Sequence, residues 1–528
     1  MHTLPVSPKL RCLAICVALA AASALPALAE ITIANEGTEN PTLLYQGEPM
    51  FKLGPMPETT VFGMQWGSEY FDHRRWFDWM AANDLGYGRV YPDSGYGWLP
   101  TRAPGRVYPF EVVRWEGDNP IVDVTRFNPK YWDNMSRVIK EAKERGVVLQ
   151  MQLYQRVFFE NLEDGEGWPI NYFNPVNNIN KFEVPAEGGD GGIVDTVKDS
   201  VKGLIGASEP IEDGYGVFAV MAEETPWREV HRQWVEHILN AIGDHGNVII
   251  DLMNEGNFTK GMTKGWIETT LEIIEQWEKK TGNDLRVGMD FDHLYKVFLS
   301  TGERAHLEYV LSNPRLDLII AEGSESHVVP ELVAGDREPR HKDLARKFRI
   351  RYQKPVISTN SPSYGPQEKL EALHLYQWYS LMIKLQGVGV YAKDYPLDFS
   401  APPVSTYARR SKILMRFFDQ IDDYAALELL PSQRISAPGK YKLALTSSHE
   451  AVVYLNAGIG GAPIVEDEDA ELELTDLDLP DGAVKIELLN PRGGRVQSSA
   501  GTIEEGRFAV GLPKIDHDVA LHITPATQ

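Results

Sequence analysis

Eight short β-rich runs alternate with long amphipathic segments between about residues 60 and 420 of the chain. This alternation indicates successive strand–helix units and therefore a parallel sheet. Several runs are apolar throughout, as expected for strands that are covered on both faces. The predicted strands are Thr60–Met64, Tyr87–Tyr91, Val147–Leu153, Asn247–Leu252, Leu285–Met289, Leu316–Ala321, Pro355–Thr359 and Gly387–Tyr391.

Eight such units in succession make a closed (β/α)8 barrel, a TIM barrel, the most economical fold. The alternative is an open, doubly wound sheet, but no Gly-rich phosphate-binding fingerprint follows an early strand. Two helix starts are marked by a capping side chain before a proline, at Asn128-Pro129 and Thr225-Pro226.

Two connections, residues 92–127 and 155–225, are too long for plain loops. Both leave the carboxyl ends of predicted strands, where barrels hold their active sites. We therefore expect these insertions to shape a substrate cleft. Insertions without a role in binding are the alternative.

The pattern changes after residue 430, where short alternating runs are separated by turn residues. Several short strands at even spacing predict a β-sandwich. The predicted strands are Lys440–Thr446, Ala451–Leu455, Glu471–Leu477, Val484–Leu489, Arg507–Val510 and Val519–Ile523. We expect a leader at residues 1–29, a barrel at residues 30–428 and the sandwich at residues 429–528.

The first residues have the features of an export leader. Lys9 and Arg11 precede an apolar run, and Ala27-Leu28-Ala29 has the small-x-small pattern of a cleavage site. The apolar run is about 14 residues, shorter than the ~20 of a membrane helix, which disfavours a retained anchor. We expect a secreted or periplasmic protein. Cleavage would remove both cysteines, so disulfides and cysteine chemistry are excluded from the mature chain.

The formal net charge of the chain is −23. This charge disfavours nucleic acid and anionic lipid as partners and suits a neutral substrate better than a polyanion. No cofactor is predicted.

The clearest candidate for chemistry is the end of the fourth predicted strand, where Asn254 and Glu255 follow a buried run. A Glu at the carboxyl end of a barrel strand points into the active face. Glycoside cleavage requires a carboxylic acid that protonates the departing oxygen. A neighbouring amide is suited to hydrogen-bond a sugar hydroxyl.

This pattern resembles the large clan of (β/α)8-barrel glycoside hydrolases, in which Asn-Glu closes strand four and the Glu is the acid/base. The second strand, with Arg89, is similar to that clan's second strand, whose Arg supports the catalytic carboxylates. The segments 452–455, 488–494 and 518–522 resemble the collagen-binding-type domain that follows apiosidase-like barrels. The resemblance implies hydrolysis of a polysaccharide or oligosaccharide, with a non-catalytic glycan-binding protein as the alternative.

One position departs from the clan. Its nucleophile is a Glu at the end of strand seven, and the matching residue here is Asn360. An amide cannot form the glycosyl-ester intermediate of a retaining enzyme. Four accounts stay open: another carboxylate acting as base in an inverting reaction, a relocated nucleophile, Asn360 orienting a 2-acetamido group, or a barrel that only binds glycan.

Glu322 is the first candidate for the second carboxylate, because Glu325 and His327 accompany it after an apolar strand. Repulsion between the two carboxylates would raise one pKa, which suits acid/base work. Other candidates are Asp290, Asp292 and Asp394. No metal site is predicted, although Asp290, Asp292, Glu322 and Glu325 could alternatively hold calcium through oxygen ligands.

Aromatic residues are frequent at or just past the predicted strand ends. Flat apolar rings pack on pyranose faces, so these residues could form sugar subsites; core packing is the alternative for each. We expect Trp66 and Tyr391 to bind substrate, together with His327. The other residues of this set are Tyr70, Tyr91, Tyr96, Trp98, Tyr154, Trp168 and Tyr395.

Overall fold

The structure is a computed structural model. It describes residues 30–57, 61–63, 72–92, 105–160, 167–185, 214–256, 262–291, 304–322, 347–361, 367–392, 401–458, 463–465 and 470–526. The predicted leader at residues 1–29 lies outside these ranges. In the described part, no helix is long and apolar enough to cross a membrane.

The central element is an eight-stranded parallel sheet whose two end strands meet, and it forms a (β/α)8 barrel. Its strands in chain order are β4 (Leu53–Pro57), β5 (Tyr87–Val90), β8 (Val148–Gln152), β9 (Val248–Asp251), β10 (Arg286–Phe291), β11 (Leu318–Glu322), β12 (Val356–Ser361) and β13 (Val388–Ala392). The predicted barrel is confirmed. Seven of its strands lie where the sequence placed them, within a few residues.

The prediction of the first strand was wrong. The sequence favoured Thr60–Met64, but β4 lies earlier, and residues 61–63 form a turn of 3-10 helix. The strand contains Pro55 and Pro57, and proline inside a run argues against a strand because it has no N–H for the ladder. β4 pairs regularly only with β13, and Leu53, Pro55 and Pro57 share the edge towards β5. The missing N–H groups therefore face the junction between β4 and β5, where no regular ladder forms. We call this junction the seam of the barrel.

A close approach of two backbones closes this seam. The N–H of Gly86 donates to the carbonyl of Leu53 at 3.0 Å. A Cβ atom at Gly54 would lie 1.7 Å from the carbonyl oxygen of Tyr87. Only glycine leaves room for β5 at this point.

Two helices begin where the capping residues Asn128 and Thr225 predicted. Asn128 accepts a hydrogen bond from the backbone of Lys130, and Thr225 accepts one from that of Arg228. The helices are α1 (His73–Ala82), α2 (Pro129–Lys143), α3 (Gly216–Ala222), α4 (Pro226–Ile242), α5 (Lys264–Thr281), α6 (Arg304–Ser312), α7 (Gln367–Met382) and α8 (Pro402–Phe418).

Three short strands at the start of the described chain were not predicted: β1 (Ile31–Ala34), β2 (Thr42–Tyr45) and β3 (Glu48–Pro49). They form their own antiparallel sheet. Ile31 and Leu43 share a buried cluster with inward residues of the barrel, among them Ile249 and Ile320. The small sheet thus extends the barrel core.

The two long insertions carry structure of their own. The first contains a hairpin of β6 (Phe110–Glu116) and β7 (Asn119–Phe127), which packs on α2 and α4, with Phe127 stacked on His237. In the second, asparagine side chains satisfy loop carbonyls: Asn178 Nδ2 donates to the carbonyls of Tyr172 and Asn174. These amides replace the ladder that a regular element would provide.

The C-terminal part is a nine-stranded antiparallel sheet that encloses one core, and the predicted all-β domain is confirmed. Its strands are β14 (Glu428–Leu429), β15 (Ile435–Ser436), β16 (Tyr441–Thr446), β17 (Ala451–Asn456), β18 (Glu471–Leu474), β19 (Gly482–Leu489), β20 (Val496–Glu504), β21 (Arg507–Gly511) and β22 (Asp518–Pro525). β20 escaped prediction because its residues are small, polar and mostly exposed, without apolar alternation.

The β domain packs on α7 and α8 of the barrel. The rings of Trp378 and Tyr454 stack with centroids 5.0 Å apart. His374 on α7 contacts Asp518 on β22, with Nε2 2.6 Å from Oδ2. The interface therefore combines aromatic packing with buried charges.

Candidate active site

Asn254 and Glu255 directly follow β9 at the carboxyl end of the fourth barrel strand. Glu255 has a φ of +50°, a left-handed conformation that is uncommon for a residue with a Cβ atom. The N–H of Gly256 donates to the carbonyl of Asp290 at 3.0 Å, which ties the turn to β10. The Glu255 side chain is 28% exposed, so its carboxylate is open to a ligand.

Arg89 on β5 reaches this turn from the second barrel strand. Its Nη1 donates to Oδ1 of Asn254 at 2.8 Å and lies 3.8 Å from Oδ2 of Asp290. All three side chains are buried. Arg89 and Asn254, which the sequence predicted as site residues, are therefore in direct contact.

The carboxamide of Asn254 belongs to a ring of three amides. Gln152 Nε2 donates to Asn254 Oδ1 at 2.8 Å, Asn254 Nδ2 donates to Gln155 Oε1 at 2.5 Å, and Gln155 Nε2 donates to Gln152 Oε1 at 3.0 Å. With Arg89 also on Oδ1, the oxygen and nitrogen of Asn254 cannot exchange places without loss of donors. The ring fixes the orientation of this amide.

Asp251 lies beneath the ring, fully buried on β9. Its Oδ2 accepts from Nε2 of Gln150 at 2.7 Å and of Gln152 at 3.1 Å. Its Oδ1 accepts from the backbone N–H groups of Asp290 at 3.0 Å and Met253 at 3.3 Å. Burial raises the pKa of Asp251 above its usual range, although these donors act in the opposite direction.

Arg156, in the segment that follows β8, contacts Glu255 itself. Its Nε donates to the carbonyl oxygen of Glu255 at 2.7 Å, and its Nη2 lies 2.6 Å from Oε2. Nη1 forms an ion pair with Glu160 and lies 3.3 Å from the hydroxyl of Tyr215. Tyr215 donates to Oε1 of Glu160 at 2.5 Å.

The backbone of three further predicted residues lies at the same end of the barrel. Glu322 ends β11 and pairs in register with Thr359, so Asn360 lies one residue further along the neighbouring strand. Tyr391 lies in β13. The structure does not describe the side chains of Glu322, Asn360 and Tyr391. Trp66 and His327 lie entirely outside the described residues.

Three of the aromatic residues considered as sugar subsites are core residues. Tyr91, Tyr154 and Trp168 are buried. Tyr91 packs edge-on against Phe158, and the hydroxyl of Tyr154 lies 2.8 Å from Nδ1 of His231. Core packing, the alternative given for each of them, is what the structure shows.

No group of three or more His, Cys, Asp or Glu residues in the described ranges could hold a metal ion. Of the four carboxylates considered for calcium, only the side chain of Asp290 is described, and it lies beside Arg89. The calcium alternative is therefore not tested.

Sequence reasoning missed Gln152, Gln155, Arg156 and Asp251. All four lie on or just past the third and fourth barrel strands, whose carboxyl ends meet at the active face. Polar residues alternating along the otherwise apolar β8 were the available indication, because an inward-facing glutamine needs a buried partner.

The sequence matches no family model and no curated protein. Its fold does match solved structures. One is described as a glycoside hydrolase, with a TM-score of 0.54 and 11% identity over 94% of this chain and 97% of that one. Another, from Bacteroides vulgatus, is assigned as a glycoside hydrolase, with a TM-score of 0.56 and 13% identity over 94% of this chain and 82% of that one. This protein therefore has the fold of these glycoside hydrolases, a (β/α)8 barrel followed by an all-β domain.

Proposed function

We propose that the protein hydrolyses glycosidic bonds, with Glu255 as the acid that protonates the departing oxygen. The observation that carries this proposal is the Asn254–Glu255 pair at the end of the fourth barrel strand, with Arg89 bonded to Asn254 at 2.8 Å. The fold of the structural neighbours supports it. The predicted leader supports an extracellular or periplasmic polysaccharide or oligosaccharide as the substrate.

The arrangement suits the chemistry of such a reaction. Glu255 is partly exposed, whereas Asn254 and the described residues that hold it are buried, so the carboxylate is the more accessible group of the pair. One hydrogen of Asn254 Nδ2 is used by Gln155. We assign the second to a sugar hydroxyl next to the scissile bond.

A second carboxylate must activate water or form a glycosyl ester. Asn360 cannot do either, so we propose Glu322, which ends the neighbouring strand β11, as the base of an inverting reaction. Asp290 is less suited to this role, because it is fully buried and lies 3.8 Å from Arg89. An inverting pair requires carboxyls about 6.5–9.5 Å apart.

The test is digestion of a glycan library by the purified mature protein, with products identified by mass and by NMR of the nascent anomer. We expect cleavage with inversion, and loss of cleavage in Glu322→Gln. Retention of configuration together with a fully active Glu322→Gln variant would transfer the role to another carboxylate.

The alternative is a non-catalytic glycan-binding protein, which the amide at Asn360 favours. In that case no glycan is cut, but a glycan binds. Glu255→Gln and Glu322→Gln would then leave turnover at zero and change affinity at most. Calorimetric titration with the library members separates the two functions.

Export is tested independently. N-terminal sequencing of the secreted protein should give Glu30 as the first residue. A chain that keeps Met1 in the membrane fraction would contradict cleavage after Ala29.

A further inference from the structure

The proposed acid is held by a residue that the sequence gave no reason to select. Arg156 bonds both the main-chain carbonyl of Glu255, at 2.7 Å, and one of its carboxylate oxygens, at 2.6 Å. The Arg156 side chain is only 6% exposed, against 28% for Glu255. A fixed guanidinium thus holds a carboxylate that is open to a ligand.

The backbone of Glu255 needs such support. Its φ of +50° is disfavoured for a residue with a Cβ atom, because the side chain crowds the adjacent carbonyl. Conformations of this kind persist where surrounding contacts over-determine them. The bond from Arg156 Nε to the carbonyl of Glu255 is such a contact, and the bond from Gly256 to Asp290 is another.

The guanidinium is itself held by the second insertion. Oε1 of Glu160 pairs with Nη1 of Arg156 and also accepts from the hydroxyl of Tyr215, which lies 3.3 Å from the same Nη1. Burial raises the pKa of Tyr215, so its hydroxyl stays protonated and remains a donor. Tyr215 comes after residues 186–213 of the insertion. It therefore contacts Glu160 and Arg156 at the point where the chain returns to the barrel.

Gly214, where the second insertion returns to the barrel, packs tightly against the residues around it. The N–H of Gly214 donates to the carbonyl of Phe159 at 2.8 Å. A Cβ atom at Gly214 would lie 2.1 Å from the ring of Trp168, so only glycine lets the chain pass there. The position of Tyr215 is therefore set by backbone contacts on both sides of the insertion.

We propose that Arg156 is a positioning residue for Glu255, and that the return of the second insertion places its guanidinium through Tyr215 and Glu160. The insertion would then support the reacting group as well as shape a cleft. The catalytic part of this inference rests on the proposed function, but the placement of Glu255 does not.

The first test needs no substrate. In protein with ¹³C-labelled glutamate, the carboxyl signal of Glu255 is assigned by its loss in Glu255→Gln. In Arg156→Gln the bond from the guanidinium to this carboxylate is removed, so the chemical shift of the signal, measured at one fixed pH, should change. Arg89 and Asp290, the charged residues of the neighbouring strands at this turn, stay unchanged in the variant.

Two conservative variants separate charge from geometry. Arg156→Lys keeps the cation but cannot make both bonds, so the signal should move less than in Arg156→Gln. Tyr215→Phe removes the hydroxyl that contacts both Glu160 and Arg156 and should move the signal in the same direction by a smaller amount. The matched control is Arg286→Gln, because Arg286 is 16% exposed and pairs with Asp317 at the opposite end of the barrel. The control should leave the signal unchanged.

The second test measures turnover on a glycan that the wild type cuts. A misplaced acid should lower kcat about 100-fold in Arg156→Gln with a smaller change in KM, and Arg156→Lys should restore part of the loss. An unchanged carboxyl signal of Glu255 in folded Arg156→Gln overturns the placement, and a wild-type kcat overturns the catalytic role. If the signal moves but the wild type cuts no glycan, the placement stands and the proposed function fails. If Arg156→Gln does not fold, Arg156→Lys and Tyr215→Phe give the same decisions.

Discussion

Two buried polar clusters in this protein are built on different principles. The site cluster lies at the carboxyl ends of the barrel strands, and the interface cluster lies between the barrel and the β domain. The site cluster consists of Arg89, Gln152, Gln155, Asp251 and Asn254. The interface cluster consists of Glu371, His374, Arg410, Arg492 and Asp518.

The interface cluster alternates charged and titratable groups across a domain boundary. Asp518, whose side chain is 1% exposed, accepts from Arg492 Nε at 3.1 Å and contacts His374 at 2.6 Å. Arg492 also pairs with Glu371, which lies 2.9 Å from Arg410. Each carboxylate here contacts at least two partners, and the chain of contacts ends on helices of the barrel.

The site cluster is mostly neutral, with three amides in a ring above a single carboxylate. Amides distinguish donor from acceptor, so a ring of them fixes which way each group faces. Ion pairs tolerate more angular freedom, but removing one partner of a buried pair leaves an uncompensated charge and is strongly destabilising. We infer that the interface cluster joins two domains, whereas the site cluster orients one amide beside Glu255, the proposed acid.

The largest expected effect is the loss of the acid. Glu255→Gln should lower turnover by about 10²–10⁴-fold, because a general acid contributes a factor of this size. The melting temperature should change little, since Glu255 is partly exposed. Glu272→Gln, an exposed position on α5, is the control. Wild-type turnover of a natural glycan by Glu255→Gln would show that the acid lies elsewhere.

The interface cluster should respond in stability and not in chemistry. Asp518→Ala leaves Arg492 and His374 without their shared carboxylate, so the free energy of unfolding should fall by about 3–5 kcal/mol. Denaturant unfolding measures this loss, and kcat of the folded protein should stay unchanged. Asp516→Ala, an exposed neighbour, should have little effect. An equal fall in the free energy of unfolding in the two variants would mean that the interface cluster does not stabilise the protein.

Acidification should lower the stability that the buried carboxylates Asp518 and Glu450 provide. Burial alone would raise the pKa of Asp518, but His374 and Arg492 outweigh it, and the pKa is lowered. The pKa of Glu450 is lowered in the same way, with its bond from His522 opposing burial. Because both folded-state pKa values are depressed, the stability they provide is present above about pH 4 and is lost as pH falls through those values.

The free energy of unfolding should therefore fall as these two carboxylates become protonated. Urea unfolding at stepwise lower pH measures it. Asp518→Asn removes one titrating group, so its profile should be shallower than that of the wild type. A stability that rises on acidification would contradict the assignment.

The smallest expected effect concerns the amide ring. Gln155→Met keeps the shape but removes the acceptor of Asn254 and the donor to Gln152. We expect kcat to fall by about fivefold, equivalent to about 1 kcal/mol for one hydrogen bond. Glycan cleavage by this variant, compared with the partly exposed control Gln233→Met on α4, would measure the contribution of orientation alone. An unchanged rate would mean that Arg89 holds Asn254 without the ring.

The sequence predicted the parts of the fold that follow local rules. Apolar runs located β5 and β8–β13, and the Asn128 and Thr225 caps located two helices. β4 was misplaced because its prolines lie on a seam that no ladder crosses, and a seam is visible only in three dimensions. β20 was missed because its face is exposed, so no apolar alternation marks it.

Only part of the candidate site was predicted from the sequence. The ending Asn254-Glu255 and the position of Arg89 could be taken from pattern and resemblance. Arg156 and Tyr215 could not, because they meet only where a long insertion returns to the barrel. The roles of all the predicted site residues stay predictions, those of Glu322, Asn360, His327, Trp66 and Tyr391 included.

The seam at Gly54 has a consequence for how this chain can vary. The barrel is closed at a point where the smallest possible addition, one methyl group, would overlap the carbonyl oxygen of Tyr87. Position 54 should therefore tolerate no other residue in a saturation library, although it is remote in sequence from every residue of the site. Intolerance to substitution at this position would report the closure of the barrel and would say nothing about catalysis.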